Sequence, residues 1–249
     1  MLFRSLDPVS VYGGEVITKV GESIGSFWGY KTDGVICSSE EADNLALYQC
    51  DAAGVKQYFK AGDMKFVDMT GEGCIDENDK TVIGNPNPDF YGNLFTRLKY
   101  KNLQLDVNCN YSVGNDVYNY YRQQLEGGSN FYNQTEAMLN RWTVDGQVTD
   151  IPSIAYGDPV GNSRFSDRWI EDGSYFKVKA VKLSYDVPVT ANWLQGLTVW
   201  CAAENVLTLT KYKGNDPEFS VSNNVLYQGV DAGLLPQTRS FHLGVKVNL

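Results

Sequence analysis

Oxygen-bearing side chains crowd the run DMTGEGCIDEND at residues 68–79. Asp68, Thr70, Glu72, the Cys74 carbonyl, Asp76 and Asp79 fall at the first, third, fifth, seventh, ninth and twelfth places of an EF-hand-like loop, and Gly73 takes the place where the chain must turn sharply. Hard oxygen ligands in that order suit calcium, which would stiffen an external loop. Thr70 brings no charge, Asp79 is shorter than the usual bidentate Glu, and flanking helices are missing. The alternative is an Asp/Gly turn closed by its own side-chain-to-backbone hydrogen bonds.

A second chemistry is offered by the aromatics Tyr118, Tyr120, Tyr121, Phe131, Tyr132 and Trp142. Tyr and Trp stack on sugar faces while their polar edges form hydrogen bonds, which makes Tyr118, Tyr120, Tyr121, Tyr132 and Trp142 candidate substrate contacts. The alternative is that they pack an insert onto its neighbours. Catalysis has less support. His242 is the only histidine, and no GxSxG, GxGxxG or P-loop motif accompanies it. Asp167, Glu171 and Asp172 lie near Arg164 and Arg168, and nothing in the sequence sets two carboxylates at a glycosidase separation. A non-enzymatic role is expected.

The elements that must hold these residues read as β-structure. Residues 239–249 alternate Phe241, Leu243, Val245, Val247 and Leu249 with His242, Lys246 and Asn248, a period-two pattern of the length that crosses a membrane as a strand (~9–11 residues). The same pattern fits a half-buried strand of a soluble sandwich. Residues 91–100 and 102–112 read as a hairpin turning near Lys101 and Asn102. In its second strand Leu103, Leu105, Val107, Cys109 and Tyr111 alternate with Gln104, Asp106, Asn108 and Asn110, a polar face suited to open water or a wet lumen. Residues 174–187 form a long strand, and its apolar set changes register between Val178 and Val181, the mark of a bulge. Residues 197–207 add another. Residues 15–20 and 26–35 are also expected as strands, the latter facing a membrane interface through Phe27, Trp28 and Tyr30. A helix is expected over 40–49, capped by Ser38 or Ser39, and a short one near 136–141. Residues 61–89 form the acidic loop, 113–165 a long external insert, and 211–237 another long loop.

Composition narrows the classes. The chain has 249 residues and a net charge of −9, which disfavours nucleic acid as a partner. No apolar run reaches the roughly 18 residues of a membrane helix. The 16 Tyr, 11 Phe and 5 Trp suit either a large β core or interface girdles. The five cysteines form no CxxC pair, so zinc is disfavoured; Cys37 and Cys50 flank a short segment and are a candidate bridge. The first ten residues lack the apolar segment of a signal peptide.

Six blocks in one order carry a resemblance: residues 25–35 (GSFWGYKTDGV), 62–95, 111–120 (YSVGNDVYNY), 164–189, 205–219 (NVLTLTKYKGNDPEF) and 236–249 (PQTRSFHLGVKVNL). Together they resemble the C-terminal third of a SusC/RagA-type TonB-dependent transporter. The resemblance implies an all-β fold, an antiparallel transmembrane β-barrel segment with long external loops and one or two short helices. It implies the outer membrane of a Gram-negative bacterium and import of oligosaccharides or peptides, energised by TonB. Its implied partners are the remainder of the transporter (plug and N-terminal barrel strands), a SusD-like surface lipoprotein acting as lid, and outer-membrane lipid. A complete barrel of ~22 strands at ~10 residues each needs ~220 residues before any loop. About six to nine strands are expected here, with no plug domain, so residues 1–249 read as the C-terminal part of a receptor barrel. The runner-up is a soluble β-rich carbohydrate-binding module with structural calcium, and a third reading is a small closed barrel of ~8 strands.

Overall fold

Alternation along the longest strands builds a sheet with two chemically different faces. The computed structural model describes residues 6–51, 53–189, 193–219 and 224–248, so Leu249 and residues 1–5 lie outside the described residues. Five long strands, Phe90–Tyr100, Leu103–Val113, Tyr175–Val187, Gly196–Thr210 and Ser240–Asn248, form one sheet. From one edge the order is Ser240, Gly196, Tyr175, Leu103, Phe90, and every neighbour is antiparallel. The hairpin turns where the sequence indicates, with Lys101 at φ 52° and Leu103 opposite Tyr100. The register shifts between Val178 and Ala180 against one neighbour and between Asn108 and Cys109 against the other. Against Leu103–Val113 the extra residue is Lys179, whereas against Gly196–Thr210 Asn205 and Val206 oppose Lys179, and the apolar set keeps to one side across the irregularity.

Residues directly opposite in a sheet share a face. One face carries the row Leu98, Leu105, Leu183, Cys201 and Leu243, with Val107, Val181, Ala203 and Phe241 beside it. This apolar face is open: Leu243 is 85% exposed and Phe241 76%. Burying one such side chain is worth about 1.5–3 kcal/mol, so water is a poor medium for the whole face. Tyr100 and Tyr185 stand at the short-turn end and Phe176 and Tyr111 at the other. That interval is roughly 30 Å along the strand; at a tilt of about 40° it makes a band near 23 Å, comparable to the ~25 Å apolar band of outer-membrane barrels.

The opposite face is polar, and packing explains its glycine. Trp200 lies across Gly244, where an added Cβ would meet the indole at 2.4 Å. An aromatic ring thus covers the gap left in a strand interior.

The remaining strands are short. Residues 1–87, 116–171 and 220–233 form one compact unit, and 88–115, 172–219 and 234–249 form the other. The first unit holds two apolar clusters, one around Tyr30, Ile36, Met64 and Phe66 and the other around Phe27, Tyr118, Trp169 and Val230. It corrects several expectations. Ser26–Gly29 is a four-residue strand with Phe27 fully buried, not a membrane-facing one. Residues 15–20 give only the strand Gly14–Ile17. The helix is Ser39–Leu45, capped by Ser38, and it stops early because Ala46 turns left-handed (φ 49°) and Tyr48–Cys50 becomes a strand paired with Lys56–Tyr58. The expected short helix is a 3-10 turn at Glu136–Asn140, while Tyr120–Glu126 is an α-helix capped by Asn119 within a stretch read as insert. Long strands number five among the described residues, fewer than six to nine, because the N-terminal segments fold into this unit.

Candidate functional site

The polar face of the long sheet is a lattice of paired groups. Arg97 Nε lies 2.7 Å from Asp106 Oδ1, and Gln104 donates to the same carboxylate at 3.0 Å. Asn93 donates to Asn108 at 2.6 Å. Lys182 lies 4.7 Å from the Trp200 ring centre. His242 shares this face, 3.0 Å from Ser240 Oγ and 3.8 Å from Glu204 Oε2. The spacing is that of a water-lined surface.

At the loop end of this face the segment 211–219 is held by two lysines. Lys177, 1% exposed, places Nζ 2.9 Å from Asp216 and 3.0 Å from Glu218. Lys179 adds a 2.7 Å contact to Glu218 and donates to Gln237 at 2.8 Å. Burial pushes both carboxyls up, but the hydrogen bonds to the lysine ammoniums outweigh it, and both Asp216 and Glu218 titrate below their ordinary values. The bulge thus aims two successive lysines into one anchor.

The first unit contains a cavity of about 620 Å³ whose lining includes Glu15, Tyr30, Gln49, Cys50, Cys74, Glu77, Lys80, Gln123 and Arg164. Lys80 Nζ bridges Glu15 (2.7 Å) and Glu77 (2.5 Å), and Tyr30 donates to Glu77 at 3.4 Å. Burial alone would lower the Lys80 ammonium; its hydrogen bonds to Glu15 and Glu77 raise it above the ordinary value. Arg164 lies 4.5 Å from the Phe66 ring centre and donates to the Val160 carbonyl at 2.5 Å and to Gln49. Burial lowers its pKa. The wall is thus fixed, charge-matched and rich in donors and acceptors. Of these residues only Cys74 and Glu77 fall in a motif the sequence offered, the run 68–79. The lining comes from separate segments that the topology unites, and Tyr30, Cys74, Glu77, Lys80 and Arg164 sit inside blocks that carry the family resemblance.

The acidic run folds as a self-closed turn. Asp68 accepts from the amides of Thr70 (3.1 Å), Gly71 (2.6 Å) and Gly73 (2.6 Å). Burial raises its carboxyl, but these amides outweigh it and hold it below the usual carboxylate value. Asp79 is fully buried and accepts from Met69 (2.9 Å), Thr70 (3.2 Å) and Asp76 (2.8 Å). Asp76 and Asp79 form the capping box of the 3-10 turn Glu77–Asp79. Of the EF-hand-like set Asp68, Thr70, Glu72, Cys74, Asp76 and Asp79, the two end carboxylates hold backbone amides. Among the described residues no group of three or more His, Cys, Asp or Glu side chains is placed to hold a metal ion.

The five aromatic candidates do not form one platform either. Tyr118 is core, 1% exposed, and donates to the Tyr12 carbonyl at 3.1 Å; burial, then the Tyr120 phenol, pushes its pKa up. Trp142 packs on the other cluster and donates to the Cys37 carbonyl at 3.0 Å. Tyr120 lines a smaller cavity of about 220 Å³ with Tyr12, Gln123 and Asn130. Tyr121 and Tyr132 are exposed, 51% and 70%. Phe131 instead stacks on Tyr156, with ring centres 4.9 Å apart. The carboxylates near Trp169 are structural as well. Asp167 accepts from the Thr32 hydroxyl at 2.6 Å, Glu171 lies 2.5 Å from Arg122 Nε, and Asp172 accepts from the Ser174 amide at 2.9 Å. All five cysteines are free. The Cys37–Cys50 bridge is not formed: Cys37 donates its thiol proton to the Val35 carbonyl at 3.3 Å, and Cys50 lies in the cavity wall.

An antiparallel sheet with an open apolar band on one side and paired polar groups on the other defines a wall segment of a membrane β-barrel. No protein-family model matches the chain. TonB-dependent receptor P3 of Formosa agariphila is 32% identical over 93% of this chain and 23% of its own length. TonB-dependent receptor SusC of Bacteroides thetaiotaomicron is 26% identical over 73% of this chain and 17% of its own. In solved structures, the RagAB peptide importer in its closed-closed state matches with a TM-score of 0.69 at 24% identity, over 99% of this chain and 25% of that one; this likeness is one of fold. Over most of its length the chain is similar to a part of the TonB-dependent receptors, SusC among them. It spans about a quarter of the length of the relatives it matches.

Proposed function

We propose that the chain is the C-terminal part of an outer-membrane, TonB-dependent importer of oligosaccharides or peptides. It supplies five wall strands and the loops that contact substrate and a SusD-like lid lipoprotein. The observation that carries this reading is the largely apolar face shared by five antiparallel strands and backed by a polar one. Among the described residues the edge strands Phe90–Tyr100 and Ser240–Asn248 are not paired with each other. A five-stranded sheet is too small to close, since the smallest filled barrels have about eight strands. Strands from the rest of the transporter continue both edges, and its plug receives the pull of TonB. In the soluble-module alternative the apolar face would stand in water.

Substrate contact is assigned to the cavity around Tyr30, Gln49, Glu77, Lys80 and Arg164. Matched carboxylates, amides and cations give hydrogen bonds in both directions, as hydroxyls of a sugar or the backbone of a peptide need. Lys80→Ala in the full transporter should weaken substrate binding at least several-fold while leaving outer-membrane insertion and heat-modifiable migration intact. Unchanged affinity for both substrate classes would remove the cavity from the transport route. Failure of the protein to fractionate with the outer membrane would remove the transporter reading itself.

A further inference from the structure

Cys50 and Cys74 line the same cavity from neighbouring stretches of chain. Tyr48 and Cys74 form a parallel bridge, with the Tyr48 amide on the Gly73 carbonyl at 3.0 Å and the Ile75 amide on the Tyr48 carbonyl at 2.8 Å. Residues two apart on a strand share a face, so Cys50 lies on the side of Tyr48 and hence of Cys74. Burial, then the Cys50 thiol, raises the Cys74 pKa. Cys50 is exposed and Cys74 half-buried, so both can be reached by a reagent. The other thiols are engaged elsewhere: Cys37 donates to Val35, and Cys109 and Cys201 sit on the long sheet two strands apart.

We propose that Cys50 and Cys74 close into a disulfide in the exported protein, tying the strand Tyr48–Cys50 to the acidic turn and fixing one side of the cavity. This rests on the outer-membrane reading, because a protein bound for that membrane crosses the periplasm, where disulfides form and persist. The oxidant is the disulfide form of a periplasmic dithiol–disulfide oxidoreductase. The more exposed Cys50, as thiolate, attacks one sulfur of that disulfide and gives a mixed disulfide. The Cys74 thiolate then attacks the Cys50 sulfur, forms the Cys50–Cys74 bond and expels the oxidoreductase thiolate. Two protons and two electrons leave the chain, and the electrons appear as the oxidoreductase dithiol.

The test is differential alkylation of the full transporter taken from the outer-membrane fraction, denatured with a maleimide before reduction and with a second maleimide after it. The expected result is that Cys37, Cys109 and Cys201 take the first label. Cys50 and Cys74 take only the second and appear in unreduced digests as one linked peptide. In Cys74→Ser, Cys50 should move to the first label. Reduction should speed proteolytic cleavage between residues 50 and 74 several-fold in the wild-type protein and leave Cys50→Ser/Cys74→Ser unchanged. First-label occupancy of Cys50 and Cys74 equal to that of the other three, or a linked peptide joining Cys37 to Cys50, overturns the proposal. Both results are read in protein already located in the outer membrane. A chain found outside it fails the location reading, and the bridge loses its oxidant with it.

Discussion

At the scale of single residues, chemistry is decided by which atoms are already engaged. Asp79 is the clearest case. Its carboxylate is fully buried and holds the amides of Met69, Thr70 and Asp76, the second of them shared with Asp68. Asp79→Ala should destabilise the protein by about 1–3 kcal/mol, the cost of leaving buried donors unmet, and the loss should be the same with calcium or with a chelator. Thermal unfolding of the detergent-solubilised transporter measures it, and a melting temperature that rises only with calcium would support the EF-hand reading. The spacing of acids at residues 68–79 was legible in the sequence, but spacing alone does not distinguish ligands around an ion from acceptors around backbone amides. The same holds for Tyr118, whose ring type suits sugar stacking and whose position buries it against Phe165 at 4.6 Å.

At the scale of elements, alternation was the reliable guide. The hairpin at Lys101, the bulge near Lys179 and the final strand all stand where period-two patterning puts them, because a one-residue slip would turn every apolar side chain into the polar face. Short strands such as Ser26–Gly29 carry too few residues for a period to show, and their aromatics pointed to an interface when they serve a core. Val181 lies midway along the apolar band. Val181→Arg should cost about 2–4 kcal/mol of barrel stability, as a cation does near the bilayer midplane, whereas Lys182→Arg on the polar face should be nearly neutral. Urea midpoints in lipid vesicles compare them. The loop 211–219 should respond to acid. Asp216 and Glu218 titrate below their ordinary values of 3.8 and 4.5 in the folded chain. Their contribution is therefore complete above those values and is lost as pH falls through the lower folded ones. Proteolysis of residues 211–219 should accelerate below about pH 4 in wild-type protein. In Lys177→Met that acid step should shrink, and an unchanged step would separate the loop from this anchor.

At the scale of the whole molecule, a chain that matches about a quarter of its relatives' length supplies an open sheet of five strands and a separate folded unit. The resemblance of six ordered blocks made the family legible. The division into two units was not, because the first unit is assembled from three distant segments whose contacts no local pattern announces. Reconstituted alone in liposomes, this polypeptide should give no TonB-coupled uptake; clear uptake would show a self-sufficient pore. The central claim is that one side of the long sheet meets hydrocarbon and the other meets water. Site-directed spin labelling along Gly196–Thr210 in lipid vesicles tests it most directly, with Cys201 as a native attachment site and the remaining cysteines replaced by serine. Labels at 197, 199, 201 and 203 should be relaxed mainly by oxygen, and labels at 198, 200 and 202 mainly by a water-soluble nickel chelate. Equal accessibility at the two sets, or chelate access at 197, 199 and 203, would contradict the account.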